Sequence, residues 1–299
     1  MMEEKISYFP QQASESKPFF SILIPTWNNL AFLQNCIRSI RQHSTTSYQL
    51  VVHLNEGTDG SLEWIKEQGD IAYSHSEENV GVCYAMNAMR SLATADYLLY
   101  LNDDMYVLPN WDGILQEEVL ACPDHNFFIS ATMIEPRAQS NCSIEQAYGY
   151  NLETFEEDRL LKEWNTWEKH DWQGSTWPPN VVHKDLWDQV GGYSVEFSPG
   201  MYSDPDFSMK LWQAGVRLFK GLGDSRVYHF GSISVKRVKQ NKGYFQFIRQ
   251  WGMTSSTLSH YYLRRGEVFD GPLAEAKVPI WVQVKNAYYR LSLLFRSSQ

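Results

Sequence analysis

From residue 20 to residue 101 the chain alternates short apolar runs with segments of helical periodicity. "SILIP", "YQLVVHLN", "IAYSHS" and "DYLLYLN" read as strands, the first ended by Pro25. Between them "LAFLQNCIRSIRQHS" sets Leu30, Leu33, Ile37 and Ile40 at helical spacing, and "GSLEWIKEQG" and "GVCYAMNAMRSLAT" supply two more helices. Strands that alternate with helices pair in parallel through right-handed crossovers, so the pattern implies an open α/β sheet covered on both faces. Ligands of such sheets gather at the carboxyl ends of the strands. Chemistry is therefore expected in the loops 26–29, 55–59, 77–81 and 102–105.

The fourth strand ends on a conflict. The nearly wholly apolar run Tyr97–Leu101 is followed at once by Asn102, Asp103 and Asp104. Adjacent carboxylates repel, and each resists desolvation unless something offsets it. A bound cation meets that need, and so does a solvated turn. After "FFISATMIEPR" the alternation lapses, and from about 138 to 179 Trp164, Trp167, Trp172 and Trp177 stand among many charges. Order resumes from 180 to 218, where "DPDFSMKLWQAG" reads as a helix from near Pro205 to Gly215, and "VYHFGS" follows. The last 60 or so residues read as helical and basic, with interleaved aromatics.

At 299 residues the chain suits one large domain, or one domain with an appendage. Four scattered cysteines, with no metal-ligand spacing, read as free thiols of a reducing compartment. The charged N-terminus "MMEEKISYFPQQ" lacks an apolar leader, and no run reaches the roughly 18 apolar residues of a membrane span. A cytoplasmic location is expected, with no nucleic acid as partner. The net charge of −9 hides an asymmetry: from Val235 onward there are eleven Lys or Arg and three acids, so residues 1–234 carry −17. A basic tail on an acidic body suits contact with an anionic membrane leaflet, and equally suits docking of the tail on the body.

Taken together, seven segments resemble, in order, the inverting family 2 glycosyltransferases of GT-A fold: "ILIPTWNN", "VVHLNEGTDGS", "ENVGVCYAMNAM", "LYLNDDM", "VGGYSVEF", "YSDPDFSMKLWQAG" and "VYHFGS". The resemblance covers roughly residues 20–232. It implies a GT-A sheet (Rossmann-like, mostly parallel, flanked by helices) in a catalytic domain at 18–234, with a nucleotide half at about 18–135 and an acceptor half at about 136–234. A tail at 1–17 and a helical basic extension at 235–299 flank it. The implied reaction moves a sugar from a nucleotide-sugar donor, UDP-sugar favoured, to a hydroxyl of a glycan or lipid-linked acceptor.

The same resemblance implies roles for residues. Asp104 and His229 match the family's metal positions for Mn²⁺ or Mg²⁺, a cation that stabilises the charge growing on a diphosphate leaving group. Asn102 departs from the family's first Asp of the DxD strand end, and Asp103 takes its variable middle position. Asp204 matches the base that accepts the acceptor's proton, with Asp206 the second choice and more suited to capping a helix start. Pro25, Thr26, Asn28, Asn79, Gly81 and Asn87 are implied around the nucleotide, Gly81 because a side chain there would crowd it. The position where the family's Asp reads uracil falls on Leu54, which leaves base recognition to Asn55, Glu56 or a backbone group. Trp177, with Trp172 second, offers a flat face to an acceptor sugar. Turn chemistry, capping and core packing explain the same residue types. A nucleotidyltransferase and a non-catalytic glycan-binding module are the alternatives. The first lacks a Gly-rich basic loop in "IPTWNNLAF"; the second has no use for Asp104, Asp204 and His229 together.

Overall fold

A computed structural model describes residues 5–11, 16–138, 140–231 and 242–296. The start of the basic extension and the last residue of "VYHFGS" lie outside the described residues. The strands begin with β1 (Ile6–Phe9), β2 (Phe20–Trp27), β3 (Tyr48–Asn55), β4 (Ile71–Ser76) and β5 (Tyr97–Tyr100). Helices α1 (Leu30–His43), α2 (Ser61–Lys66) and α3 (Gly81–Leu92) alternate with them from β2 on, as the apolar pattern dictates. Next come β6 (Met105–Val107), α4 (Trp111–Ala121), β7 (Phe127–Glu135), β8 (Ser143–Glu145), α5 (Glu157–Glu163), β9 (Trp172–Gln173) and β10 (Asn180–His183). They are followed by α6 (Lys184–Val190), α7 (Ser203–Gln213) and the long β11 (Leu218–His229). The C-terminal part holds α8 (Gly243–Trp251), α9 (Ser255–Thr257) with a π-helical turn at Leu258–Tyr262, and α10 (Ile280–Arg296).

One sheet joins all the strands in the order β1-β4-β3-β2-β5-β10-β7-β11-β6, with β8 beside β7 and β9 beside β11. β4, β3, β2 and β5 are parallel. β10 runs antiparallel to both β5 and β7, and β7 is parallel to β11. The reversed β10 thus leaves β7 and β11 pointing the same way as β2–β5. The carboxyl ends of all six strands lie along one edge.

Period-2 alternation decides which side chain meets which helix. Ile22 and Ile24 join Leu33, Ile37, Trp111 and Leu115 on the face covered by α1 and α4. Leu23 and Val51 join Met86, Met89, Trp187 and Phe207 on the face covered by α3, α6 and α7. The N-terminal stretch, expected as a tail, contributes β1 at the sheet edge, where Ile6 is buried and pairs with Ser76. The irregular region is pinned by Arg226, only 3 % exposed, whose guanidinium donates to the carbonyls of Gly223, Trp164 and Trp167. Those bonds satisfy a buried cation with three acceptors fixed by its planar fork.

The C-terminal part packs on the sheet domain. Gln173 N–H donates to Glu267 O and Gly266 N–H to Gln173 O, so the strand β9 gains a partner from beyond residue 260. Leu273 N–H donates to Arg217 O, and Arg217 pairs with Glu275 at 2.6 Å. Among the described residues no helix is long and apolar enough to cross a membrane. All four cysteines are free thiols.

Candidate active site

Parallel strands β2 and β5 bring Thr26 and the acids after Tyr100 to the same edge. Thr26 Oγ1 donates to Asp103 Oδ2 at 2.6 Å, and Asp103 and Asp104 are both buried. Asp104 Oδ1 lies 3.5 Å from Nε2 of His229, the last residue of β11. The other ring nitrogen, Nδ1, lies 2.7 Å from Oε1 of Glu135, the last residue of β7. Strand register explains the meeting. β7 and β11 run parallel with Ile134 opposite Tyr228, and β6 sets Met105 opposite His229. Burial alone would lower the pKa of His229, but Asp104 and then Glu135 raise it to about 10. Without a metal, the imidazolium is the counter-ion that offsets the strand-end acids.

The donor set fits a divalent cation. A carboxylate and an imidazole face each other, and Glu135 holds the far ring nitrogen as carboxylates do behind metal-binding histidines. Among the described residues no group of three or more His, Cys, Asp or Glu side chains could hold a metal. The pair Asp104 and His229 would leave the remaining positions to substrate oxygens and water, a common arrangement for Mg²⁺ and Mn²⁺.

A second carboxylate enters from the start of α7. Asp204 accepts from the Tyr193 hydroxyl at 3.1 Å. It keeps partial contact with solvent, yet loss of hydration raises its pKa from 3.8 to about 7, against the opposing Tyr193 bond. Tyr193 is stacked on Phe207, with ring centroids 4.8 Å apart, and its backbone is gripped at both N–H and C=O by Asn87. Asp206 points elsewhere. Fully buried, it accepts from Ser194 Oγ, Gln250 Nε2 and Trp251 Nε1, so it ties α7 to α8. The expected backbone cap is replaced by these side-chain donors because α8 covers the start of the helix.

Several residues expected at the nucleotide brace the loops. Asn55 Oδ1 accepts from Val80 N–H and its Nδ2 donates to Thr26 O, so its amide faces backbone. Asn28, at φ 44°, accepts from Gly57 and Thr58 N–H and donates to Glu56 Oε2. Asn79 Oδ1 accepts from Gly81 N–H. Gly81 is required for a reason other than ligand crowding. Its φ is 80°, and a Cβ there would meet Pro199 Cα at 2.5 Å. Asn87 clamps Tyr193, as described, and Pro25 lies in β2 opposite His53. Asn102 keeps its place just beyond β5 and is half-buried, its carbonyl accepting from Met105 N–H.

The two tryptophans expected at the acceptor differ. Trp172 is buried, donates from Nε1 to Thr132 Oγ1, and lies on Gly221, where a Cβ would meet its ring at 1.9 Å. It is core, because β9 pairs antiparallel with β11 and sets Trp172 directly opposite Gly221. Trp177 is half-buried and carries the Arg265 guanidinium 3.9 Å from its ring centroid, so one face is already occupied. Three residues not singled out from the sequence complete the site: Glu135, Asn180, and Tyr193 of the segment "VGGYSVEF". Asn180 opens β10 opposite Tyr100 and Ser130 at the active edge, is 3 % exposed, and its Nδ2 has no hydrogen-bond partner. Only the chain reversal at 178–180 would have pointed to it.

An open, mostly parallel sheet whose carboxyl edge gathers a cation-ready Asp–His pair and a second carboxylate of raised pKa is a GT-A fold. Residues 21–166, a little under half of the chain, match the family model described as Glycosyl transferase family 2. A PGL/p-HBAD biosynthesis glycosyltransferase of Mycobacterium bovis is 35 % identical over 108 residues, 35 % of this chain and 40 % of that protein. The hyaluronan synthase of Pasteurella multocida is 24 % identical over 269 residues, 84 % of this chain and 25 % of the synthase. The chain therefore spans well under half the length of these curated relatives. Among solved structures, S. aureus TarS 1-349 in complex with UDP superposes with a TM-score of 0.57 at 13 % identity, over 93 % of this chain and 72 % of TarS. GalNAc-T7 with UDP, GalNAc and Mn²⁺ gives 0.57 at 16 % identity, over 78 % of this chain and 48 % of that one. These likenesses establish the fold.

Proposed function

We propose that the protein transfers a sugar, with inversion, from a nucleotide-sugar donor to a hydroxyl of a glycan or lipid-linked acceptor, with Mn²⁺ or Mg²⁺ held by Asp104 and His229. The observation that carries the reading is the meeting of Asp104, His229 and Glu135 from three separate strand ends at the active edge. A divalent cation there would supply electrostatic stabilisation of the diphosphate leaving group. Asp204 takes the proton of the attacking hydroxyl, and a pKa of about 7 suits that task at neutral pH. Tyr193 is a positioning residue that holds the Asp204 carboxylate, and Asn87 holds Tyr193. Asn180 Nδ2 donates to an oxygen of the bound donor, which would give a buried orphan group its partner.

A UDP-sugar is the favoured donor. S. aureus TarS and GalNAc-T7 were both solved with UDP, and TarS also with UDP-GlcNAc. The hyaluronan synthase among the relatives favours a polysaccharide acceptor. The domain division at 18–234 and 235–299 is kept in this reading, with β1 added to the first unit.

A thermal-shift panel of UDP-, GDP- and dTDP-sugars with and without Mn²⁺ tests it. A ligand at about 100 times its Kd adds about 2.7 kcal/mol to stability. The expected result is a shift of several degrees for a UDP-sugar, present only with the metal and absent from Asp104→Ala. Normal transfer by a folded Asp104→Ala protein would overturn the assignment.

A further inference from the structure

Helix α10 carries two opposed apolar faces, and among the described residues only one of them has a partner. Val282, Asn286 and Leu293 are buried against the domain, with Asn286 Oδ1 accepting from Thr254 N–H and Thr257 Oγ1. Ile280, Trp281, Val284, Tyr288 and Leu291 are each 57–79 % exposed. With about 100° between successive residues, those five fall within one arc of about 100° on the opposite side of the helix. A contiguous exposed apolar stripe of this kind marks an interaction surface.

We propose that this stripe docks α10 in the plane of an anionic membrane leaflet. Charge complementarity selects that occupant over a second copy of the chain. The segment 280–296 contains Lys285, Arg290 and Arg296 and no acid. Lys285 and Arg290 are exposed and stand on either side of the stripe. The three acids beyond residue 235 are already neutralised within the molecule: Glu267 and Asp270 by Arg264, and Glu275 by Arg217. Nothing on this face therefore offsets the cations. On a second copy the other exposed large apolar side chains are scattered, so the match for this stripe would be another α10, which would set cation against cation. Trp281 and Tyr288 add amphipathic rings, and flanking Lys and Arg stems reach past such rings to headgroup phosphates.

The surface also has a route to the site. α10 packs on α8, and α8 supplies Gln250 and Trp251 to Asp206, two residues from Asp204. A leaflet under α10 would bring a lipid-linked hydroxyl to the side of the molecule that carries the candidate base. That link rests on the proposed function; the lipid contact itself does not.

Co-sedimentation of the full chain with vesicles tests the contact. Phosphatidylcholine vesicles containing about one-third phosphatidylglycerol should bind roughly tenfold or more tightly than pure phosphatidylcholine, and high salt should weaken the binding. The exposed double substitution Val284→Glu with Tyr288→Glu should abolish it while the melting curve stays that of the parent. Equal binding to both vesicles, or parent-like binding by the double variant, overturns the proposal. So does a dimer that the double substitution dissociates in a protein that binds no vesicles. Asp104→Ala should bind vesicles as the parent does, which separates failure of the surface from failure of the metal site.

Discussion

A carboxylate that is to take a proton from a hydroxyl must hold its proton more tightly than a solvated one, yet give it up near neutral pH. Asp204, at about 7, satisfies both conditions through burial, partly countered by Tyr193. Activity should therefore fall about tenfold per pH unit below about 7 and level off above it, measured as kcat/KM at saturating metal. Asp204→Asn should lower kcat by about 10²–10⁴-fold. The same carboxyl loads the folded state. Its folded pKa lies above the unfolded one, so its contribution to stability is whole below 3.8 and lost as the pH rises through about 7. Asp204→Asn should accordingly melt higher than the parent above pH 7, and the difference should vanish in acid. Asn180→Ala tests the orphan donor: KM for the sugar nucleotide should rise roughly tenfold while the melting temperature holds, because no protein hydrogen bond is lost. A drop in melting temperature without a change in KM would make Asn180 structural. At this scale the sequence was informative about place: Asp104 and His229, picked out by local patterns 125 residues apart, meet at the carboxyl edge. Asn55, Asn79 and Asn87 had the right type and place, but an amide serves backbone and ligand equally well, and only the fold shows which it meets.

Elements set which of two neighbouring acids is free to react. α7 presents Asp204 to the cleft and, half a turn on, buries Asp206 beneath α8. Removing Asp206 leaves the half-buried Ser194 and Trp251 donors without their acceptor, while the exposed Gln250 can turn to water. Asp206→Ala should therefore cost about 2 kcal/mol in denaturant unfolding, on the scale for unsatisfied neutral donors. A fully stable Asp206→Ala protein that lacks activity would reverse the roles of the two acids. The βα alternation of residues 20–101 was readable because apolar period and capping agree there. β1, β8 and β9 were not. Each is two to four residues long, and each is a strand only because a longer neighbour lends it hydrogen bonds. Arg226, which no sequence pattern singles out, holds the irregular stretch at the carbonyls of Trp164 and Trp167.

Across the whole molecule the C-terminal part divides by how much it buries. Residues 263–276 contribute Leu263 and Leu273 to the core and hydrogen-bond to β9, whereas α10 buries only a narrow strip. A chain ended at 278 should keep a cooperative melt within a few degrees of the parent, and one ended at 262 should lose it, as read by circular dichroism. Charge asymmetry pointed toward this region in the sequence. It could not divide the region, because cations that neutralise the domain and cations that face outward look alike in a string of letters. Arg217, Arg264 and Arg265 are of the first kind; Lys285 and Arg290 are of the second.

The reversed strand β10 has a consequence for how such an enzyme can diversify. β2–β5, β7 and β11 reach the active edge with their last residues, but β10, like the short β6, leaves that edge with its first. The irregular region before it therefore opens and closes on the reactive side, between Glu135 at one end and Asn180 at the other. It is fastened at β8, at β9 with Trp172, and at the carbonyls that Arg226 holds, so the loops between those points can change length while β2–β5 keep their register. If the proposed function holds, exchanging those loops with the fastening points kept should alter the acceptor.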